Sequence, residues 1–161
     1  MKTLDAMANG EVPSATLLPG LPQELSPFQA DRTPGYLAPS PQTSRRLTPW
    51  VDALCAIPPE KAARWLQAAT PLLQEELRAL GDTQADFSTT LATALDQILT
   101  LPEFDFPPEL QATPRPGLYE FKDPIFQKLN PLQKALVRAG FENCGNLRHY
   151  AQSLKDQLSL P

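Results

Sequence analysis

The sequence predicts an all-α fold: a small helical bundle plus a C-terminal helical hairpin, with an extended proline-rich N-terminal arm. Three observations lead there. Nineteen prolines spread over 161 residues cut the chain into short pieces, because each proline fixes φ and removes a backbone donor. Within 48–101, apolar residues recur at spacings of three and four, the period of a helix with one buried face. Near the C-terminus two such stripes flank Gly140, the pattern of two helices joined by a tight turn. The chain divides accordingly into an arm (1–46), a bundle (47–101), a proline- and aromatic-rich connector (102–122) and a hairpin (123–161).

In the arm, Pro13, Pro19, Pro22, Pro27, Pro34, Pro39 and Pro41, with Gly10, Gly20 and Gly35, leave no helical or strand period. Leu21, Phe28 and Tyr36 are apolar beads between these breakers. A flexible linker is expected to be rich in Gly and Ser and poor in such residues. The beads therefore suit an arm that lies in grooves, on a partner or on its own body, and all three are candidate partner-binding residues. Pro19-Gly20-Leu21-Pro22 has the PxxP spacing of polyproline ligands but no adjacent basic residue.

Thr48-Pro49 reads as a helix start, an N-cap hydroxyl followed by proline at the first helical position. That helix carries Trp50, Val51, Leu54, Cys55 and Ile57 and stops at Pro58. Pro59 opens the next, with Ala62, Ala63, Trp65 and Leu66 as its apolar face. Pro71 removes the hydrogen bond to Gln67 and is expected to kink or divide this helix. Leu72, Leu73, Leu77 and Leu80 continue the stripe to a cap at Gly81. Asp82 or Thr83 is expected to cap the third helix, whose stripe is Phe87, Leu91, Ala94, Leu95, Ile98 and Leu99.

The connector contains Pro102, Pro107, Pro108, Pro114 and Pro116. Phe104, Phe106, Tyr119 and Phe121 make it apolar rather than solvated, and they complete the candidate partner-binding set. Leu118–Phe121 has the composition of a strand but no evident strand to pair with, so no sheet is expected.

Asp123-Pro124 and Asn130-Pro131 each open a helix. The second carries Leu132, Ala135, Leu136 and Ala139 to Gly140, and the last helix is expected to start at Asn143 or Cys144. Its stripe is Leu147, Tyr150, Ala151, Leu154 and Leu158. An alternative reading makes this pair a helix-turn-helix-like nucleic-acid binder, with Arg138, Arg148 and Lys155 meeting phosphates. Two amphipathic helices packing on a neighbour is the simpler account, and it is preferred.

Residues 1–116 hold 8 basic and 14 acidic side chains, and 117–161 hold 6 and 4, for a net charge of −4. The balance argues against a surface that grips nucleic acid throughout. His149 is the single histidine, and no GxSxG, phosphate loop, GxGxxG or CxxC occurs. Glu75 and Glu76 are adjacent and diverge on their helix, so they form a solvated face and not an acid–base pair. No catalytic residue, metal site or cofactor is expected. Cys55 and Cys144 read as reduced thiols. No run approaches the ~20 apolar residues of a membrane span, and the N-terminal stretch lacks the apolar run of a signal peptide. The expected function is non-enzymatic: a protein-interaction or structural component of a larger assembly, such as an adaptor, scaffold or virion-type subunit. Its expected place is the cytoplasm, or a particle assembled there, with protein partners and no membrane.

Overall fold

A computed structural model describes residues 2–13, 30–33, 35–79 and 86–160. It corrects the all-α expectation. Strands β1 (Ala30–Thr33), β2 (Tyr36–Pro39), β3 (Leu110–Ala112) and β4 (Tyr119–Phe121) form one antiparallel sheet in the order β1-β2-β3-β4. Thr33 faces Tyr36, Leu37 faces Leu110, and Leu110 faces Phe121. The strand at 119–121 is therefore not isolated, because its partner lies at 110–112 in the same connector. The pairing is invisible to local sequence patterns for a physical reason. Each strand has only three or four residues, and the central Leu37–Leu110 pairing is separated in sequence by the whole bundle. No local period can report a pairing of that kind.

The expected arm is also more structured than an extended chain. It contains α1 (Lys2–Ala8), the β1–β2 hairpin with Gly35 at φ 103, and α2 (Pro41–Arg45). Ser40 caps α2, its side chain accepting from the Gln42 N–H, and Pro41 takes the first helical position. Leu21, Phe28 and the PxxP sequence lie outside the described residues.

Helix α3 (Thr48–Cys55) starts at the expected place, but Leu47 is its N-cap. The Thr48 hydroxyl instead donates to the Ser44 carbonyl at 3.3 Å. Helix α4 (Pro59–Ala79) runs through Pro71 without interruption. Beside the proline, the Thr70 hydroxyl donates to the Leu66 carbonyl at 2.8 Å. Ala63 and Leu77 form the buried side of α4, whereas Trp65 is 62% exposed, contrary to the inward position its spacing suggested. Helix α5 (Phe87–Leu99) is capped by Asp86, whose carboxylate accepts from the Thr89 N–H at 2.9 Å. The expected caps at Gly81, Asp82 and Thr83 lie outside the described residues.

Helices α6 (Pro124–Gln127) and α7 (Pro131–Arg138) begin at the two predicted Asx-Pro pairs, with Asp123 and Asn130 as caps. Asn130 and Gln133 form a reciprocal capping box. Helix α8 (Phe141–Leu158) starts directly after Gly140, which has φ 99, rather than at Asn143 or Cys144.

Two apolar clusters hold these elements. One joins Ala63 and Leu77 of α4, Phe87, Leu91, Leu95 and Ile98 of α5, and Tyr150, Ala151 and Leu154 of α8, with Leu4 of α1 packed on it. The other lies under the sheet and contains Leu101, Leu110, Phe121, Phe126, Val137 and Cys144. Leu136 packs against both. Burying a side chain of the size of Phe121 contributes about 2–3 kcal/mol. The small sheet is thus fixed by what lies beneath it as much as by its few ladder bonds.

A polar network links α1, α5 and α7. The Asn130 amide donates to the Gln97 side-chain oxygen at 2.7 Å, and Gln97 donates to the Ala8 carbonyl at 3.3 Å. Gln133 donates to the Gln97 carbonyl at 3.3 Å, and the Leu132 N–H donates to the Gly10 carbonyl at 2.9 Å. The end of α1, the C-terminal half of α5 and the start of α7 are therefore tied by satisfied polar groups.

Candidate interaction site

A groove of roughly 660 Å³ lies between segments 103–109 and 122–126, which lead into β3 and out of β4 through α6. Its inner side is aromatic. Phe126 meets Phe104 edge-on, with ring centroids 5.7 Å apart, and Phe121 behind it at 5.5 Å. Such packing holds the rings in fixed orientations. Short α6 places Phe126 inward and Ile125 outward because the two are consecutive on a helix opened by Asp123, whose carboxylate accepts from the Ile125 N–H at 2.8 Å. Phe106, on the opposite wall, is 71% exposed.

The rim is acidic. Glu103, Asp105, Glu109 and Asp123 line the groove together with one cation, Lys122. Lys122 is already paired with Glu109 at 2.7 Å. Glu103 has a longer contact of 3.5 Å with Arg148. Exposed apolar side chains under a net negative rim can hold a ligand that is itself cationic and apolar.

The predicted partner-binding residues are distributed as follows. Phe104 and Phe106 line the groove. Phe121 does not, being only 1% exposed in the cluster under the sheet. Tyr119 packs partly against the same cluster, and Tyr36 is exposed on β2. Leu21 and Phe28 lie outside the described residues. The sequence reading missed Ile125 and Phe126. An aromatic following Asp-Pro-Ile on a four-residue helix shows no period from which its burial could be inferred.

The three cations of the alternative reading are each engaged within the chain. The Arg138 guanidinium lies 5.2 Å over the Phe121 ring and donates to the Tyr119 carbonyl at 3.4 Å. Its burial lowers its pKa from the ordinary arginine value. Arg148 donates to the Leu101 carbonyl, and Lys155 pairs with Asp96 at 2.9 Å. Their roles in holding α7 and α8 to the rest of the chain account for their presence.

Both thiols and one phenol are shifted upward. Burial pushes the Cys144 thiol up to about 12, against a smaller opposing pull from Arg148. Cys55 is raised by burial and by Asp52, and Tyr150 by burial and by Cys55. A protonated thiol is a poor nucleophile. His149 is exposed on α8. Among the described residues, no three His, Cys, Asp or Glu side chains gather where they could hold a metal ion. Among the same residues, no helix is long and apolar enough to cross a membrane.

A smaller cavity, about 240 Å³, lies where Pro39, Ser44, Gly140 and Asn143 meet. The Asn143 amide there is consumed by the Ser44 and Ala139 carbonyls at 3.1 and 2.8 Å. This leaves the groove as the stronger candidate.

Neither the curated proteins nor the solved structures contain a match to this chain. A family model described as protein of unknown function (DUF3014) matches residues 1–155, and with nearly the whole sequence covered, the chain belongs to that family.

Proposed function

We propose that the protein is a non-enzymatic interaction component, an adaptor or scaffold within a larger assembly, whose groove receives a cationic, apolar-anchored segment of a partner protein. The observation that carries this reading is Phe106 and Ile125, both more than half exposed, standing over an aromatic floor within an acidic rim. Phe106 and Ile125 line the same groove from its two bounding segments, and aromatic anchors of this kind dominate interface energetics. The rim supplies steering and discrimination between partners more than raw affinity. The upward-shifted thiols and the exposed, isolated histidine support a binding role over a chemical one. The two free cysteines suit a reducing, cytoplasmic setting.

The test uses the full chain immobilised against synthetic peptides in which leucine or phenylalanine is flanked by Lys and Arg, with neutral and acidic versions alongside. Cationic apolar peptides should be retained preferentially, with affinity falling as salt rises. A Phe106→Lys, Ile125→Lys double variant with an unchanged unfolding midpoint should lose that retention. Equal capture of all three peptide classes, or capture unaffected by the double variant, would refute the reading.

A further inference from the structure

Helix α4 has two apolar sides. Ala63 and Leu77 belong to the inner one, with Leu66 and Leu73 packed against the same cluster. On the outer side, Trp65 and Leu72 are 62% and 64% exposed, and exposed Ala68 lies between them. At 100° and 1.5 Å per residue, Trp65 and Leu72 differ by about 20° in direction and about 10 Å along the axis, so they form one stripe. A helix that already supplies one stripe to its core has no internal use for a second.

Charge brackets this outer stripe asymmetrically. Lys61 lies one turn before Trp65 and Arg64 immediately before it, whereas Glu75 and Glu76 lie one turn after Leu72. All four are exposed; Lys61, Glu75 and Glu76 lie within about 60° of Leu72 around the helix, and Arg64 lies about 80° from it, at the edge of the face beside Ala68. Lys61, Glu75 and Glu76 make no ion pair with any described residue. One half of the face is cationic and the other anionic, with Ala68 near the midpoint.

Such a face is complementary to itself when reversed. We infer that α4 is a self-association surface whose occupant is a second copy of this chain, docked antiparallel across a two-fold axis near Ala68. Trp65 of one copy then packs on Leu72 of the other, and the reverse contact follows from the symmetry. Lys61 meets Glu76 and Arg64 meets Glu75 across the interface, each pair formed twice. Alanine at the crossing permits close approach of the two helices. A parallel arrangement sets Lys61 against Lys61 and Glu76 against Glu76, so the charges select the antiparallel pairing. The contact lies apart from the groove and shares no residue with it.

Sedimentation equilibrium of the full chain over a concentration series tests this. The wild type is expected to show a monomer–dimer equilibrium that weakens with salt. Leu72→Glu should raise the dissociation constant about tenfold or more, as expected for truncating an interface anchor. Lys61→Glu and Glu76→Lys should each weaken self-association. Mixed together, these two single variants should form a heterodimer, because every 61–76 contact is then between opposite charges. Unchanged unfolding midpoints separate these effects from misfolding. A wild type that stays monomeric throughout, or a dimer indifferent to Leu72→Glu and to the charge exchange, overturns the inference. Because the groove is not involved, dimerisation can fail with peptide binding intact, and peptide binding can fail with dimerisation intact.

Discussion

Gly140 packs directly against Ser44: a methyl group at the glycine would stand 2.7 Å from the Ser44 Cβ. The residue also has φ 99, where side chains other than glycine's are strained. This contact joins the α7–α8 turn to the end of α2, and the Asn143–Ser44 hydrogen bond reinforces it. Gly140→Ala is expected to destabilise by about 2 kcal/mol or more, from backbone strain plus the clash. Gly145 supplies the contrast. It lies inside α8 with nothing within 4 Å of a built Cβ, so Gly145→Ala should stabilise by about 0.5–1 kcal/mol through helix propensity. Urea denaturation of both variants checks the opposite signs.

Asn130 acts twice, as the cap of α7 and as a donor to Gln97. Asn130→Ala should cost about 1–3 kcal/mol, combining a lost cap with a part-buried hydrogen bond. Asn130→Asp keeps the capping oxygen but cannot donate to Gln97. Its loss should lie between wild type and alanine at neutral pH, and chemical denaturation of the three proteins ranks them.

Phe106 and Phe121 stand in the same connector and should respond in opposite ways to truncation. Phe121→Ala opens a cavity in the cluster under the sheet and is expected to cost about 3–5 kcal/mol. Phe106→Ala removes a side chain in water and should change stability by less than about 0.5 kcal/mol. Thermal unfolding distinguishes them, and a stability loss at Phe106 comparable to that at Phe121 contradicts the assigned exposure.

The raised thiol of Cys144 predicts a pH dependence of defined sign. A folded-state pKa above the ordinary 9.0 means that the native state holds its proton more tightly than the unfolded chain. The stability this supplies is complete below about 9 and is lost as pH climbs toward about 12. Cys55 and Tyr150, also raised, act in the same direction. Denaturant midpoints measured between these limits should fall less steeply for Cys144→Ala than for the wild type. In the native protein at neutral pH, Cys144 should resist alkylation until denaturant is added.

What could be read from the sequence was local. Asn130-Pro131 with Gln133 encodes its capping box within four residues, and Asp123-Pro124 encodes the start of α6 in two. The α5 stripe was legible because its inward positions are uniformly apolar. Trp65 was misplaced for the complementary reason: α4 is apolar on both sides, and spacing alone does not say which side meets the core. Phe121 read as a partner contact because prolines surround it. The alternation of Tyr119 and Phe121 facing inward with Glu120 facing outward was the available strand signal, but three residues are too few to establish a period. The groove was half visible, through Phe104 and Phe106, while its other wall depended on a tertiary contact across the connector.

The pairing of Leu37 with Leu110 sets a timetable for biosynthesis. As the chain leaves the ribosome, the β1–β2 hairpin emerges well before the residues that will flank it, and α3, α4 and α5 are made in the interval. The nascent protein must therefore carry an open strand edge on β2 while its helices are made, and it can close that edge only after Leu110–Ala112 has cleared the exit tunnel. Long-range pairings of this sort form late and slowly, and unsatisfied edges invite the wrong neighbour. Truncation within 102–109 should accordingly leave an association-prone chain, because it bares the β2 edge and also the faces of α4 and α5 that Tyr150, Ala151 and Leu154 of α8 cover.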